Sequence, residues 1–349
     1  MEKIKVMLCG VGAVGSLIAK FLLEKEWVEI VSAVDLAKDR IGRDLGTVLG
    51  MNKTLGISVS EKIEKAVSAK SADIAVHATS SFLKDTYPQI ISLVEHNLNV
   101  ISTCEELSYP YFTSPTIAKK IDALAKHHGV TVLGTGINPG FVMDTLVIML
   151  TAACQKIEEI KVVRVMDAAK RRLPFQKKIG AGLAAEEFRG KIEKKEITGH
   201  VGLVQSIAMI ADAIGWTLDT IVVEPVSPII TEKPVESREV KVEAGRVAGL
   251  RQRAKGVVKD KEVIVLDFKV YIGAKKEYDA ITIKGVPNIE QKIQPCIHGD
   301  IGTVAVITNM IPKVINAPPG LVTMKDLPVP SATLGDMGKY FNQKPLIFN

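Results

Sequence analysis

The chain has 349 residues, 45 Lys and Arg against 39 Asp and Glu for a formal charge of +6, 47% hydrophobic residues and 5% aromatics. That length suits about two domains. So few aromatics leave little on which single-stranded nucleic acid could stack, and the basic residues are spread along the chain, so no nucleic-acid partner is expected.

The chain opens on an apolar strand, Lys3 to Cys9, which runs into Gly10-Val11-Gly12-Ala13-Val14-Gly15 and then an amphipathic helix, Ser16 to Leu23. A second apolar strand, Ile30 to Val34, ends in Asp35, twenty residues beyond Gly15. Each part of this G-x-G-x-x-G unit has a separate task in holding a dinucleotide. Gly10 permits the tight turn, Gly12 leaves room for the pyrophosphate, and Gly15 lets helix and strand pack closely. The helix N-terminus offers N–H groups to the phosphates, and Asp35 can accept from the ribose hydroxyls. Lys38 and Arg40 follow closely enough to reach a 2′-phosphate, so the cofactor is expected to be NAD or NADP. The same opening could pass for a signal peptide, with Lys3 and Lys5 before an apolar core, but three glycines in that core argue against it.

Strand and helix continue to alternate through the first half, as in a parallel sheet covered on both faces. Expected strands are Ile57 to Val59, Ala72 to Ala78, Asn99 to Thr103 and Val130 to Gly134. Expected helices run from Tyr87 to His96, from Ile117 to His128 with Gly129 as a left-handed cap, and from about Asp144. Ligands of such sheets sit at the carboxyl ends of the strands, which should bring Thr79, Ser80, Ser102, Thr103, Glu105 and Asn138 to one crevice.

Beyond about residue 155 the pattern changes. Glu158 to Met166, Glu262 to Gly273 and Tyr278 to Lys284 alternate as strands of an antiparallel sheet, with helices at Ala184 to Lys194 and Leu203 to Ile214 between them. Asp300 to Pro312 reads as an apolar helix broken by proline and returning to the first domain, while the tail after Pro328 is a candidate wrap around a neighbouring subunit. The expected fold is α/β: a doubly wound Rossmann sheet over residues 1–154, an α+β domain with a largely antiparallel sheet over 155–299, and a returning segment over 300–349.

The four cysteines, Cys9, Cys104, Cys154 and Cys296, are far apart with no C-x-x-C pair, which points away from a disulfide framework or zinc site. No apolar run reaches the roughly 20 uncharged residues a spanning helix needs. We therefore expect a soluble cytoplasmic protein with no membrane partner, and no metal. The basic clusters Lys170-Arg171-Arg172 with Lys177-Lys178, and Arg246, Arg251, Arg253 and Lys255, read mostly as solvated faces, with capture of an anionic group as the second reading.

The glycine loop, Cys104-Glu105-Glu106-Leu107-Ser108-Tyr109-Pro110, Gly136-Ile137-Asn138-Pro139-Gly140-Phe141, Gly199-His200-Val201-Gly202 and Asn316-Ala317-Pro318-Pro319-Gly320-Leu321 together resemble the 2,4-diaminopentanoate dehydrogenases and related native amine dehydrogenases, within the dihydrodipicolinate-reductase-like group. The resemblance runs through nearly the whole chain in order. It implies NAD(P)-dependent oxidative deamination at C4 of 2,4-diaminopentanoate, giving 2-amino-4-oxopentanoate and ammonia, or in reverse the reductive amination of a ketone. It also implies a homodimer.

Oxidising an amine requires a neutral nitrogen, so a carboxylate beside the nicotinamide must bind the ammonium and take its proton. Glu105, first past the strand-end turn, is the leading candidate and Glu106 the second; either could instead serve a helix start. A lone histidine is more often structural than catalytic, and it is the resemblance that makes His200 a wall of the active site; Asn138, Pro139, Phe141 and Arg171 are candidates around the substrate. Lys170, Arg172 and Gln176 are further candidates for a carboxylate. Homoserine dehydrogenases carry a lysine after the corresponding strand, and dihydrodipicolinate reductases a paired-histidine and lysine motif in their second domain. This chain has neither, and His127-His128 lie near a helix end instead. A hydroxyl or imine oxidoreductase, an enzyme for simple amines, and a redox sensor without turnover are the alternatives; substrate screening separates the first two, and indifference to loss of Glu105 and Glu106 would mark the third.

Overall fold

The computed structural model describes residues 3–69, 71–335 and 337. It divides into two units: the residues up to Phe141 together with those from Gly299 onward, and Val142–His298. The helix Thr145–Thr151 therefore groups with the second unit, although the sequence placed the boundary after residue 154.

In the first unit the strands β1 (Ile4–Cys9), β2 (Val28–Val34), β3 (Val59–Ser60), β4 (Ile74–His77), β5 (Asn99–Ser102) and β6 (Thr131–Gly134) are joined by the late strand Gly320–Val322. Among the described residues they form one seven-stranded sheet, all pairings parallel, in which β1 lies between β2 and β4 and the late strand lies beside β6. That reversal of order at β1 makes a topological switch point at the carboxyl end of the sheet. Strands β4 and β6 are buried throughout, and β1 at every residue but Lys5, because both sheet faces are covered. The core on one face joins Met7, Ala75, Val100 and Val132 of the sheet to Ile90, Leu93 and Val94 of the helix Leu83–Glu95 and to Ala118 and Ile121 of the helix Pro115–His128. Gly129 caps the latter at φ 67°.

Two prolines are tolerated inside helices, one of them, Pro312, where the sequence suggested a break. The helix expected from Tyr87 begins at Leu83, with Pro88 inside it, and the C-terminal helix runs past Pro312, from Gly299 to Ile315. Each proline forfeits one backbone hydrogen bond, and packing of the surrounding apolar faces outweighs that loss. The C-terminal helix packs on the helix Ala13–Leu22 and on β5 and β6. The proposed wrapping tail lies mostly outside the described residues.

The second unit contains β7 (Lys156–Asp167), β8 (Thr220–Val223), β9 (Ser227–Ile230), the short hairpin β10 (Val235–Glu236) and β11 (Lys241–Val242), β12 (Val247–Val258), β13 (Lys261–Tyr271), β14 (Tyr278–Val286) and β15 (Ile289–Ile293). The large sheet runs β15-β14-β7-β13-β12-β8, with β9 also paired to β12. Its pairings are antiparallel except β7 with β13, which run parallel. Strand β12 was read from the sequence as a basic cluster. Its Arg251, Arg253 and Lys255 project from one face and pair with Asp267 and Glu224, while Leu250, Gln252 and Ala254 point to the covered face. The helix Leu203–Ala213 lies on β8, β12 and β13.

Candidate functional site

The glycine loop is built as its spacing demands. Gly10 sits at φ 94°, and a Cβ there would lie 2.4 Å from the Ala78 carbonyl oxygen. A Cβ on Gly15 would lie 2.0 Å from the carbonyl oxygen of Gly10, so only glycine lets the helix Ala13–Leu22 approach its own turn. Gly12 is different: a Cβ there would meet only Arg40 Nη1, at 3.8 Å. That open space lies beside the N-terminal cap of the helix, where a pyrophosphate would occupy what a side chain would fill.

Asp35, at the end of β2, is 8% exposed. Its Oδ2 accepts from the Val11 N–H at 2.7 Å and from Arg40 Nη1 at 2.9 Å, and its Oδ1 accepts from the Ala37 N–H at 2.8 Å. Arg40 is therefore folded back on the acid and lies over the glycine loop, while Lys38 is exposed. A cleft of about 430 Å³ opens beside these residues, lined on its far side by Leu36, Ile63, Glu64, Pro88, Gln89 and Ser92. Leu36 is 71% exposed there. An apolar side chain held open in a cleft beside a buried acid is suited to the flat face of a nucleobase. Open space at Gly12, the acid and the apolar wall together fit a dinucleotide. Of the wall the sequence reading used nothing; its available signal was an apolar residue directly after the acid.

At the carboxyl ends of β4 and β5, Thr79 and Ser102 are linked through His77. His77 is fully buried. Its Nδ1 lies 2.8 Å from Ser102 Oγ and its Nε2 lies 2.7 Å from Gln89 Oε1 and 3.0 Å from Thr79 Oγ1. With Gln89 Oε1 as acceptor, Nε2 carries the proton and Nδ1 accepts from Ser102. Burial pushes the imidazole down to about 4, so it is neutral. Ser102 Oγ also accepts from the Cys104 N–H, and the Thr103 N–H donates to the His77 carbonyl. Ser102 is fully buried and serves as the floor, whereas Thr79 lines the cleft. Ser80 Oγ donates to Asp85 Oδ2 and accepts from the Phe82 N–H, so it secures the start of the helix Leu83–Glu95.

The two glutamates separate. Both stand on the single turn Glu105–Ser108 after β5. Glu106 Oε2 accepts the Leu83 N–H at 2.7 Å, which places it in the role of a helix cap. Glu105 is half-buried, and its backbone carbonyl accepts from Ser108 Oγ at 2.7 Å, which fixes the turn that carries it. Asn138, Pro139 and Phe141 follow β6 at the same end of the sheet, where the Ile137 N–H is tied to Thr303 Oγ1 at 3.3 Å.

The remaining candidates lie in the second unit. His200 stacks on Phe268, with centroids 4.6 Å apart and planes 15° from parallel. Its backbone N–H donates to Gln252 Oε1 at 2.7 Å. Arg171 lies over the Phe175 ring at 4.4 Å, Lys170 pairs with Glu277, and Gln176 is buried and bonded to the Arg171 carbonyl and to Ser237. Arg172 is exposed. Among the described residues no group of His, Cys, Asp and Glu is arranged to hold a metal ion. No described helix is long and apolar enough to cross a membrane.

Residues 141–343 match the family described as the 2,4-diaminopentanoate dehydrogenase C-terminal domain, and residues 4–104 match the dihydrodipicolinate reductase N-terminus. The chain is 39% identical to the 2,4-diaminopentanoate dehydrogenase of Acetoanaerobium sticklandii over 99% of both chains. It is 21% identical to an amine dehydrogenase of Streptomyces virginiae over 96% of this chain and 99% of that one. Among solved structures, an amine dehydrogenase from Mycobacterium smegmatis superposes with a TM-score of 0.82 at 26% identity, over 95% of this chain and 97% of that one.

Proposed function

The chain belongs to the 2,4-diaminopentanoate dehydrogenase family, and from that membership we propose that it oxidatively deaminates 2,4-diaminopentanoate at C4, releasing 2-amino-4-oxopentanoate and ammonia. The supporting observation is the 39% identity that runs through both units. The first unit fits the dinucleotide such a reaction needs, NAD or NADP. When bound, the nicotinamide supplies the hydride acceptor, or in the reverse direction the hydride donor.

The chain's own part is to bind, deprotonate and orient. The carboxylate of Glu105 accepts a hydrogen bond from the substrate ammonium and then takes its proton, leaving the neutral amine whose lone pair assists departure of hydride from the same carbon. Loss of hydride gives an iminium, and addition of water followed by loss of ammonia gives the ketone. Glu105 fits this task better than Glu106, whose carboxylate already holds the Leu83 N–H. Asn138, Pro139 and Phe141 are candidate substrate contacts in the first unit, and His200 and Arg171 are candidates in the second. The small-molecule partners are the amine or ketone and ammonia. A second reading, turnover of simple amines and ketones, is favoured by the likeness to the amine dehydrogenases.

Purified protein with NAD or NADP and either 2,4-diaminopentanoate or a set of simple amines tests the two readings through the absorbance of the reduced nicotinamide. Reduction with the diamino acid supports the first reading, reduction with simple amines alone supports the second, and silence with every amine overturns both. Glu105→Gln is expected to lower kcat by a hundredfold or more, in the range of general acid–base catalysis, with dinucleotide affinity nearly unchanged. Retained turnover would move the base elsewhere. We also propose a cytoplasmic homodimer; a monomer mass by light scattering would refute the dimer.

A further inference from the structure

Four polar side chains of the first unit form a chain of hydrogen bonds that ends in the cleft beside Asp35. It begins at Ser102 on β5, whose Oγ accepts from the Cys104 N–H at 3.1 Å and lies 2.8 Å from His77 Nδ1. It passes through the fully buried His77 ring, whose Nε2 lies 2.7 Å from Gln89 Oε1. Thr79 Oγ1 also donates to Gln89 Oε1, at 2.8 Å. Ser102 gives its hydroxyl proton to Nδ1, so Nε2 carries the ring proton and Gln89 Oε1 receives two donors. That fixes which way the amide faces. Its oxygen is turned inward to His77 and Thr79, and its NH2 group is presented to the cleft of about 430 Å³ that Gln89 lines.

One turn further on the same face of the helix Leu83–Glu95, Ser92 Oγ donates to Glu64 Oε1 at 3.0 Å. The Glu64 carboxyl is held below its ordinary range, first by its own backbone N–H and then by Ser92, so it is an anion at neutral pH. Glu64 and Ser92 line the cleft together with Gln89, and Leu36, Ile63 and Pro88 supply its apolar lining. The cleft thus offers a held donor and a held acceptor beside walls that suit a flat ring.

We propose that this edge reads the base of the dinucleotide as adenine: the Gln89 amide donates to a ring nitrogen, the Glu64 carboxylate accepts from the exocyclic amine, and His77 is the positioning residue that keeps the Gln89 NH2 outward. A glutamine can read adenine by itself, with its oxygen on the amine and its nitrogen on the ring. Here the oxygen is already committed to His77 and Thr79, so the acceptor comes from Glu64. A base with a carbonyl in place of the amine sets an oxygen against the carboxylate and is rejected. The proposal rests on the reading of this cleft as a dinucleotide site; the hold of His77 on Gln89 does not.

The test compares NAD and NADP with their hypoxanthine analogues, in which an oxo group replaces the 6-amino group, by calorimetry on the full chain. The wild type should bind the adenine form about tenfold more tightly or better. Glu64→Gln can present either amide atom to the base and should bring the two forms within about threefold. Gln89→Glu keeps an acceptor for His77 and Thr79 but has no NH2, and should lose about tenfold in affinity for the adenine form. If Gln89→Glu does not fold, Gln89→Met reads the same loss. Nitrogen NMR of histidine-labelled protein, with His77 assigned from His77→Gln, should show the ring proton on Nε2. A proton on Nδ1 would turn the amide the other way round and overturn the proposal. So would equal binding of the adenine and hypoxanthine forms by the wild type, or full affinity in Gln89→Glu. A wild type that binds no dinucleotide overturns the cofactor reading and this use of it together, while the NMR signals still decide whether His77 holds Gln89.

Discussion

Burial alone would favour the protonated form of Asp35, yet the N–H groups of Ala37 and Val11 and the Arg40 guanidinium outweigh it and hold the carboxyl below its ordinary range. For a depressed carboxylate the stabilisation is complete above the unfolded value near 4 and is lost as pH falls through the folded one, so the anion persists through neutral pH. Asp35→Ala is expected to weaken NAD about tenfold, some 1.4 kcal/mol, and NADP less, because a 2′-phosphate loses a repulsion along with a hydrogen bond. Arg40→Ala should weaken NADP more than NAD. Fluorescence titration with each dinucleotide checks both; equal losses for the two in Asp35→Ala would remove that residue from the ribose site. His77 gives a pH dependence of the same sign, at higher pH. It is neutral when folded, with a value of about 4 against roughly 6.5 unfolded, so the unfolded chain binds more protons between those values. Stability should therefore fall as pH drops from 6.5 to 4, by up to about 1.4 kcal/mol per pH unit from this residue. His77→Gln should flatten that slope in denaturant melts, and an unchanged slope would mean that His77 charges freely in the fold.

Two glycines of the first turn, three residues apart, should fail in different ways. Gly15→Ala forces a Cβ to 2.0 Å from the Gly10 carbonyl, so strand and helix must separate and Tm should fall. Gly12→Ala has room, at φ −69°, and Tm should hold within the few tenths of a kcal/mol that separate such N-cap residues at best, to about 1 at worst. Its methyl group fills the phosphate space, so dinucleotide affinity should drop tenfold or more by calorimetry. Equal behaviour of the two variants would mean that the loop does not cradle a phosphate. This strand–turn–helix was legible in the sequence because the approach of Gly15 to Gly10 and of Asp35 to Val11 lies within about two dozen residues of chain. Strand β12 was not, because Arg251, Arg253 and Lys255 read as a surface cluster until their partners Asp267 and Glu224 come from elsewhere in the chain. The sequence ranked Glu105 ahead of Glu106 only by its place after the strand, and the fold sets Glu106 apart by bringing the Leu83 N–H to its carboxylate.

Across the whole second unit, Arg164 and Asp279 join strands whose residues lie 115 positions apart. Removing one partner strands a buried charge, and Asp279→Leu or Arg164→Met alone should cost about 3–5 kcal/mol, whereas the double variant should recover most of that loss. Chemical denaturation of the three proteins checks this, and strictly additive losses would show that the two side chains are not coupled. The sequence by itself determined the alternation of strands and helices, the glycine loop, the acid closing β2 and the group of turn motifs that mark the family, since each depends on neighbours within a few dozen residues. Only the tertiary structure decided which glutamate serves as a cap, that His77 ties Thr79 to Ser102, and that Gln252 and Phe268 lie beneath His200. The physical reason is that register between distant strands is set by packing and hydrogen bonding of the whole sheet, and no local pattern carries it.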